Sequence, residues 1–155
     1  MRDNFKDHRS SRSDRSGAGR PSAASEWRRL EEVGDLHYHA SAYSTALDYY
    51  NQLIIDPILD LMDAEQAFGV LRKSVDANIL LGHLDQVDIL LDRARELMEF
   101  HADTTDPDVA AVTRAVFQTR RAAVLRERGR LHDALDLAKR AFSVLALTNE
   151  HTDVA

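Results

Sequence analysis

GDLHYHASAYSTALDYYNQL, residues Gly34–Leu53, reads as the end of one helix, a tight turn and a second helix folding back antiparallel. Tyr43, Ala46, Leu47, Tyr50, Leu53 and Ile54 recur at three- and four-residue steps, which places them on one helical face. Ser41 stands ahead of them as a plausible N-cap, and small Ala46 in mid-stripe lets two helices approach closely. Two later stretches repeat the second half of the design: Gly82–Ala94 (GHLDQVDILLDRA) and Gly129–Ala141 (GRLHDALDLAKRA). Alignment puts Ser41, Gly82 and Gly129 at one position. Tyr43, Leu84 and Leu131 follow, then Ala46, Val87 and Ala134, then Tyr50, Leu91 and Ala138, then Leu53, Ala94 and Ala141. Large apolar residues anchor the start of each return helix and small ones sit where helices cross. No such pair buries both of its faces alone, so neighbours must stack. The expectation is an all-α chain, an α-solenoid of about three antiparallel helix pairs.

The first helix of each pair follows by working outward. Ser25 can cap a helix carrying Trp27, Leu30, Val33 and Leu36. Asp56–Pro57 and Asp106–Pro107 are two copies of one start signal, an Asp cap followed by Pro as the first helical residue. From Pro57 to Leu81 the only potential breaker is Gly69, so one long helix is expected there, with Leu59, Met62, Ala67, Val70, Leu71, Ala77, Leu80 and Leu81 on its apolar faces. Gly82 ends it, because glycine tolerates a left-handed helix end. The return helix Leu84–Met98 points Leu84, Val87, Leu90, Leu91, Ala94 and Leu97 inward. After a polar loop at 101–106, a third long helix runs to about Arg128, and Leu131–Leu147 returns. The closing TNEHTDVA reads as a loop and the opening of a further helix, or a frayed end, over 150–155.

Residues 1–25 hold six Arg and Lys against three Asp, so the net charge of −6 places −9 on the remainder. An acidic body lacks the basic face that displaces counterions from nucleic acid, which makes nucleic acid an unlikely partner. Residues 1–24 read as a disordered Arg/Ser-rich tail, too poor in apolar residues to offset the entropy of ordering, and 25–149 as the repeat domain. The tail has no apolar centre of a secretory signal and too many acids for a transit peptide, so a cytoplasmic setting is expected. No apolar run reaches about 18 residues, so no membrane span is expected. The chain has no cysteine, which excludes disulfides, thiolate metal sites and thiol catalysis.

On these residues the chain resembles the tetratricopeptide repeat, a helix–turn–helix unit of about 34 residues. Leu30, Val33, Gly34 and Tyr38, then Tyr43, Ala46, Tyr50, Leu53 and Pro57, carry the match in the first copy. Val75 departs from the small residue wanted in the second first helix, and Ala122 restores it in the third. Aligned positions advance by 41 from Ala46 to Val87 and by 47 from Val87 to Ala134. Such lengthened repeats are similar to those carried by bacterial signalling proteins and transcriptional regulators. The resemblance implies a concave groove lined by the first helices, holding a partner peptide or helix. Its groove positions fall on Glu31, Asp35 and Tyr38, on Arg72, Asp76 and Ile79, and on Thr119 and Arg126. Asp35 and Asp76 stand where chaperone-binding members use neutral or basic donors to clamp a terminal carboxylate, and an acid there repels one.

Catalysis finds no foothold in the sequence. His37 and His39 are two apart on a helix and cannot converge. His83 and His132 lie at turns of separate copies, and there is no HExxH, phosphate-cradling glycine run or nucleophile elbow. No catalytic residue, metal site or cofactor is expected. The functional expectation is a protein-interaction scaffold or adaptor in a regulatory or signalling system. The alternative is a self-assembly module, a homo-oligomer stacking through an uncapped C-terminal copy.

Overall fold

A computed structural model describes residues 22–152, with side chains described for 22–148. The tail expected over 1–24 lies outside the described residues up to position 21, and residues 22–24 belong to the first helix and its cap. Among the described residues the chain is all-helical. Its helices are α1 (Ala23–His39), α2 (Tyr43–Leu53), α3 (Ile58–Leu61), α4 (Ala64–Leu81), α5 (Leu84–Phe100), α6 (Pro107–Glu127) and α7 (Leu131–Thr152). Helix α1 packs on α2, α4 on α5 and α6 on α7, and these hairpins meet through α2 with α4, α5 with α6 and α4 with α6.

The three hairpin turns are built alike. Tyr38 O accepts from Ser41 N and His37 O from Ala42 N; Ile79 O accepts from Gly82 N and Asn78 O from His83 N; Arg126 O accepts from Gly129 N and Leu125 O from Arg130 N. This pair of bonds is a Schellman closure, which satisfies the last carbonyls of a helix and needs one left-handed residue. Ser41, Gly82 and Gly129 are that residue, at φ 60°, 75° and 77°. Ser41 is therefore the left-handed residue ending α1, and it does not cap α2 as its hydroxyl suggested.

Asp106 caps α6 as expected, its carboxylate accepting from the amides of Asp108 (2.9 Å) and Val109 (3.3 Å) behind Pro107. The matching signal at Asp56–Pro57 gives a different result. Helix α3 lasts four residues, Met62 turns extended at ψ 156°, and Asp63 caps a new helix by accepting from Gln66 N at 2.8 Å. The single helix expected over Pro57–Leu81 is thus two. A free carboxylate at Asp63 satisfies an amide that a continuous helix would leave no need for, and the bend drops Leu59 and Met62 into the core. Likewise Ser22, not Ser25, caps α1. Helix α7 continues unbroken through Thr152, so no loop forms at 148–151.

One buried cluster joins α2, α3, α4 and α5 (Tyr50, Leu53, Leu59, Leu71, Val75, Val87, Leu91, Leu97 among others), with Phe117 and Val124 from α6 and with Trp27, Leu30 and Tyr38 half-buried on its α1 side. Among the described side chains, helix α7 adds only Ala134 and Ala141 as buried apolar ones. Four expected inward residues face solvent instead: Leu36, Leu80, Leu81 and Leu131. Leu36, Leu80 and Leu81 lie near the C-terminal ends of α1 and α4. Leu131 occupies the anchor position filled by Tyr43 and Leu84, but no further hairpin lies against it among the described residues.

Candidate partner-binding cleft

The last turns of α1 present two acids to α4. Lys73 donates to Glu31 Oε1 at 2.9 Å and to Asp35 Oδ2 at 2.7 Å, and Gln66 donates to Glu31 Oε2 at 3.0 Å. Asp35 Oδ1 also accepts from the Tyr50 hydroxyl at 2.6 Å, which ties α2 into the same cluster. Burial by itself would lower the Lys73 ammonium, but its hydrogen bonds to Asp35 and Glu31 and their charges outweigh that and hold it above its ordinary value. Burial, then the Asp35 hydrogen bond and charge, push the Tyr50 phenol far above its ordinary range.

Between α4 and α6 the same arrangement recurs. Arg120 grips Asp76 with two parallel bonds, Nε to Oδ1 at 2.8 Å and Nη2 to Oδ2 at 2.9 Å, while its Nη1 donates to Val116 O. The recurrence follows the repeat register. Asp35 and Asp76 are 41 apart, as Ser41 and Gly82 are, and Lys73 and Arg120 are 47 apart, as Gly82 and Gly129 are. Each first helix offers an acid at one position, and the next answers with a cation three residues earlier in its own register. The outer positions break off: α1 has Glu32 where the cation would stand, and α6 has Ala123 where the acid would stand.

This geometry divides the eight groove residues. Glu31, Asp35 and Asp76 are consumed by internal ion pairs and are not free for a ligand. Tyr38 is half-buried edge-on against Tyr43, its ring centroid 5.4 Å away, and burial followed by the Asp76 charge raises its hydroxyl. Ile79 packs half-buried on the core. Thr119 donates to Val116 O at 2.8 Å, and exposed Arg126 pairs with its neighbour Glu127. Arg72 stands 4.0 Å from Asp76 and remains exposed.

An open cleft of about 930 Å³ lies toward the N-terminal halves of α4 and α6. Phe68, Val112, Val116 and Phe117 form its apolar floor, with Val109 56% exposed at the edge. Arg28, Glu31, Arg72 and Lys73 stand around it, and Asp63 and Glu65 close the rim near the α4 start. Phe68 and Phe117 meet with centroids 6.1 Å apart, which joins α4 to α6 beneath it. Of the expected groove residues only Glu31 and Arg72 line this cleft. Lys73, Arg120, Gln66 and the two phenylalanines were missed. Extending the turn alignment back along the first helices carries the signal for Lys73 and Arg120, since acid and cation then fall in step.

Among the described residues no group of three or more His, Asp or Glu side chains is placed to hold a metal ion, and no helix is long and apolar enough to cross a membrane. Comparison with protein-family models, with curated proteins and with solved structures gives no match.

Proposed function

We propose that this chain is a protein-interaction scaffold, and that the cleft between α1, α4 and α6 takes an apolar side chain or helix turn of a partner. The observation that carries the reading is the cleft itself: an aromatic and valine floor inside a rim of balanced charge, on a frame tied by Lys73 and Arg120. Such a surface suits a peptide or helix with one large apolar residue flanked by charges of both signs. We read the three hairpins as a tetratricopeptide-like solenoid, because they pack in chain order, share one turn geometry and repeat one ion pair in register. A role as the sensor or adaptor part of a cytoplasmic regulatory system rests on the likeness of the lengthened repeats. Binding is preferred to catalysis because Glu31, Gln66 and Lys73 at the cleft are engaged with one another.

The acids that argued against carboxylate ligands are neutralised by Lys73 and Arg120, so selectivity is assigned to the apolar floor. Selection of displayed peptides on the whole chain tests this. Enriched peptides are expected to share a large apolar residue, and to lose about tenfold or more in affinity for Val112→Glu, as truncating an anchor contact does. Peptides that bind Val112→Glu and the parent chain equally, or no enrichment at all, would remove the reading.

A further inference from the structure

We propose that α7 is a self-association surface, pairing two copies of this chain antiparallel about a two-fold axis beside Ala138. The proposal rests on the α7 side chains and stands apart from the cleft. Leu131, Leu135 and Phe142 are 64%, 51% and 60% exposed, and Ala138 and Leu145 between and beyond them are half-buried. Their steps of four, three, four and three residues put all five on one stripe, the spacing of a seam between two helices. Charged side chains are absent from the stripe, although the helix is otherwise rich in them.

Register at Leu135 and Ala138 points to a helix on this stripe. Leu135 holds the position of Leu47 (Asp88 in the second copy), and Ala138 that of Tyr50 and Leu91. In the earlier copies Leu47, Tyr50 and Leu91 are buried, on helices that pack against the hairpin that follows. In α7 the same face is open among the described residues.

Two observations decide which helix fits. A head-to-tail stack would set α1 of one copy against α6 and α7 of another. It fails on charge, since Glu32 and Ala123 stand where the repeating cation–acid pair would form. It also fails on polarity, since the exposed face of α1 carries Arg28, Arg29, Glu32 and His39 around the lone Leu36. The α7 stripe, by contrast, complements itself. It reads large, large, small, large, large from Leu131 to Leu145, the same in either direction. Antiparallel pairing sets Leu131 opposite Leu145 of the other copy, Leu135 opposite Phe142, and Ala138 opposite Ala138, where two small residues let the helices close. Such an isologous contact ends at two copies. Lys139 flanks the stripe beside the axis, so two ammonium groups approach there and added salt, by screening them, tightens the pair.

Sedimentation equilibrium of the whole chain over a concentration series tests the proposal, with circular dichroism checking that variants fold. A monomer–dimer equilibrium is expected, strengthened by salt. Phe142→Glu, a change at an exposed side chain, is expected to weaken it by about 30-fold or more, the loss that follows removal of an interface anchor. The absence of cysteine makes a single introduced thiol diagnostic. Ala138→Cys is expected to form a disulfide-linked dimer on mild oxidation, because only a two-fold axis at that residue brings the two thiols within reach. Leu147→Cys, exposed but on another side of α7, is expected to stay reduced. A monomer at every concentration, a dimer indifferent to Phe142→Glu, or cross-linking through position 147 and not 138 would each overturn the proposal. So would a monomer whose stripe is filled by an amphipathic helix from another protein.

Discussion

The first hairpin and the last are versions of one design with opposite interiors. In the first, Gly34 lies under the Tyr50 ring so closely that a Cβ there would come within 2.6 Å of Cε1. Tyr50 is fully buried, and its hydroxyl is held by Asp35, which Lys73 holds in turn. In the last, Ala122 and Ala138 occupy the same two register positions. Small facing small packs a hairpin but leaves little to grip a third element, and α7 stays open on one side. A single glycine under a single tyrosine lets the first hairpin key into its neighbour, whereas two alanines leave the last one with an unused face.

The largest blow to this contrast is expected from Tyr50→Ala. Loss of a buried aromatic costs about 3–5 kcal/mol, whereas Phe142→Ala, in dilute monomer, should change stability by no more than about 0.5 kcal/mol. Urea unfolding followed by circular dichroism compares them directly, and equal losses would erase the difference between the hairpins. Gly34→Ala comes next. Alanine ordinarily favours a helix, but here its methyl meets a ring that cannot retreat, and about 1–3 kcal/mol of overpacking should outweigh the gain. Gly69→Ala meets nothing nearer than Glu31 Oε1 at 3.8 Å and should stabilise by about 0.5–1 kcal/mol.

Lys73→Met should cost about 1–3 kcal/mol, since it strands Asp35 and Glu31 half-buried without their cation. The same cluster sets the response to alkali. Lys73 and Tyr50 both hold their protons more tightly in the folded chain than in the unfolded one, where they titrate near pH 10. Their stabilisation is complete below that pH and is lost as pH rises through the folded values. Thermal midpoints should therefore fall above about pH 10, and less steeply in Lys73→Met and Tyr50→Phe. An unchanged slope in both would show the cluster contributes nothing there. The turns are expected to respond in opposite directions. Ser41→Gly should stabilise by about 0.5–1 kcal/mol, by relieving a side chain held at positive φ, whereas Gly82→Ala should destabilise by about 1 kcal/mol or more for the converse reason.

The repeat register was legible because local rules write it: glycine or its substitute at each left-handed turn, apolar side chains at helical steps after it, and Asp–Pro at a helix start. The same rules failed at Pro57, where a capping acid six residues on, Asp63, split a helix that its apolar pattern had shown as continuous. The surroundings of the expected groove residues were half legible. Their helices and faces followed from the pattern, but which acids stay free depends on cations elsewhere in the chain, and Lys73 and Arg120 had taken Asp35 and Asp76.

From the order of residues alone came the all-helical class, the three hairpins and most of the face each turns to its partner, since these depend on neighbours within about one helical turn or on a repeat that can be counted. Only packing in three dimensions decided which charges cancel, that Tyr50 closes over Gly34, and that Leu131 is left in solvent while Tyr43 and Leu84 are half-covered. Those outcomes depend on what a distant segment brings to the same place, and three similar segments of sequence meet three different neighbours.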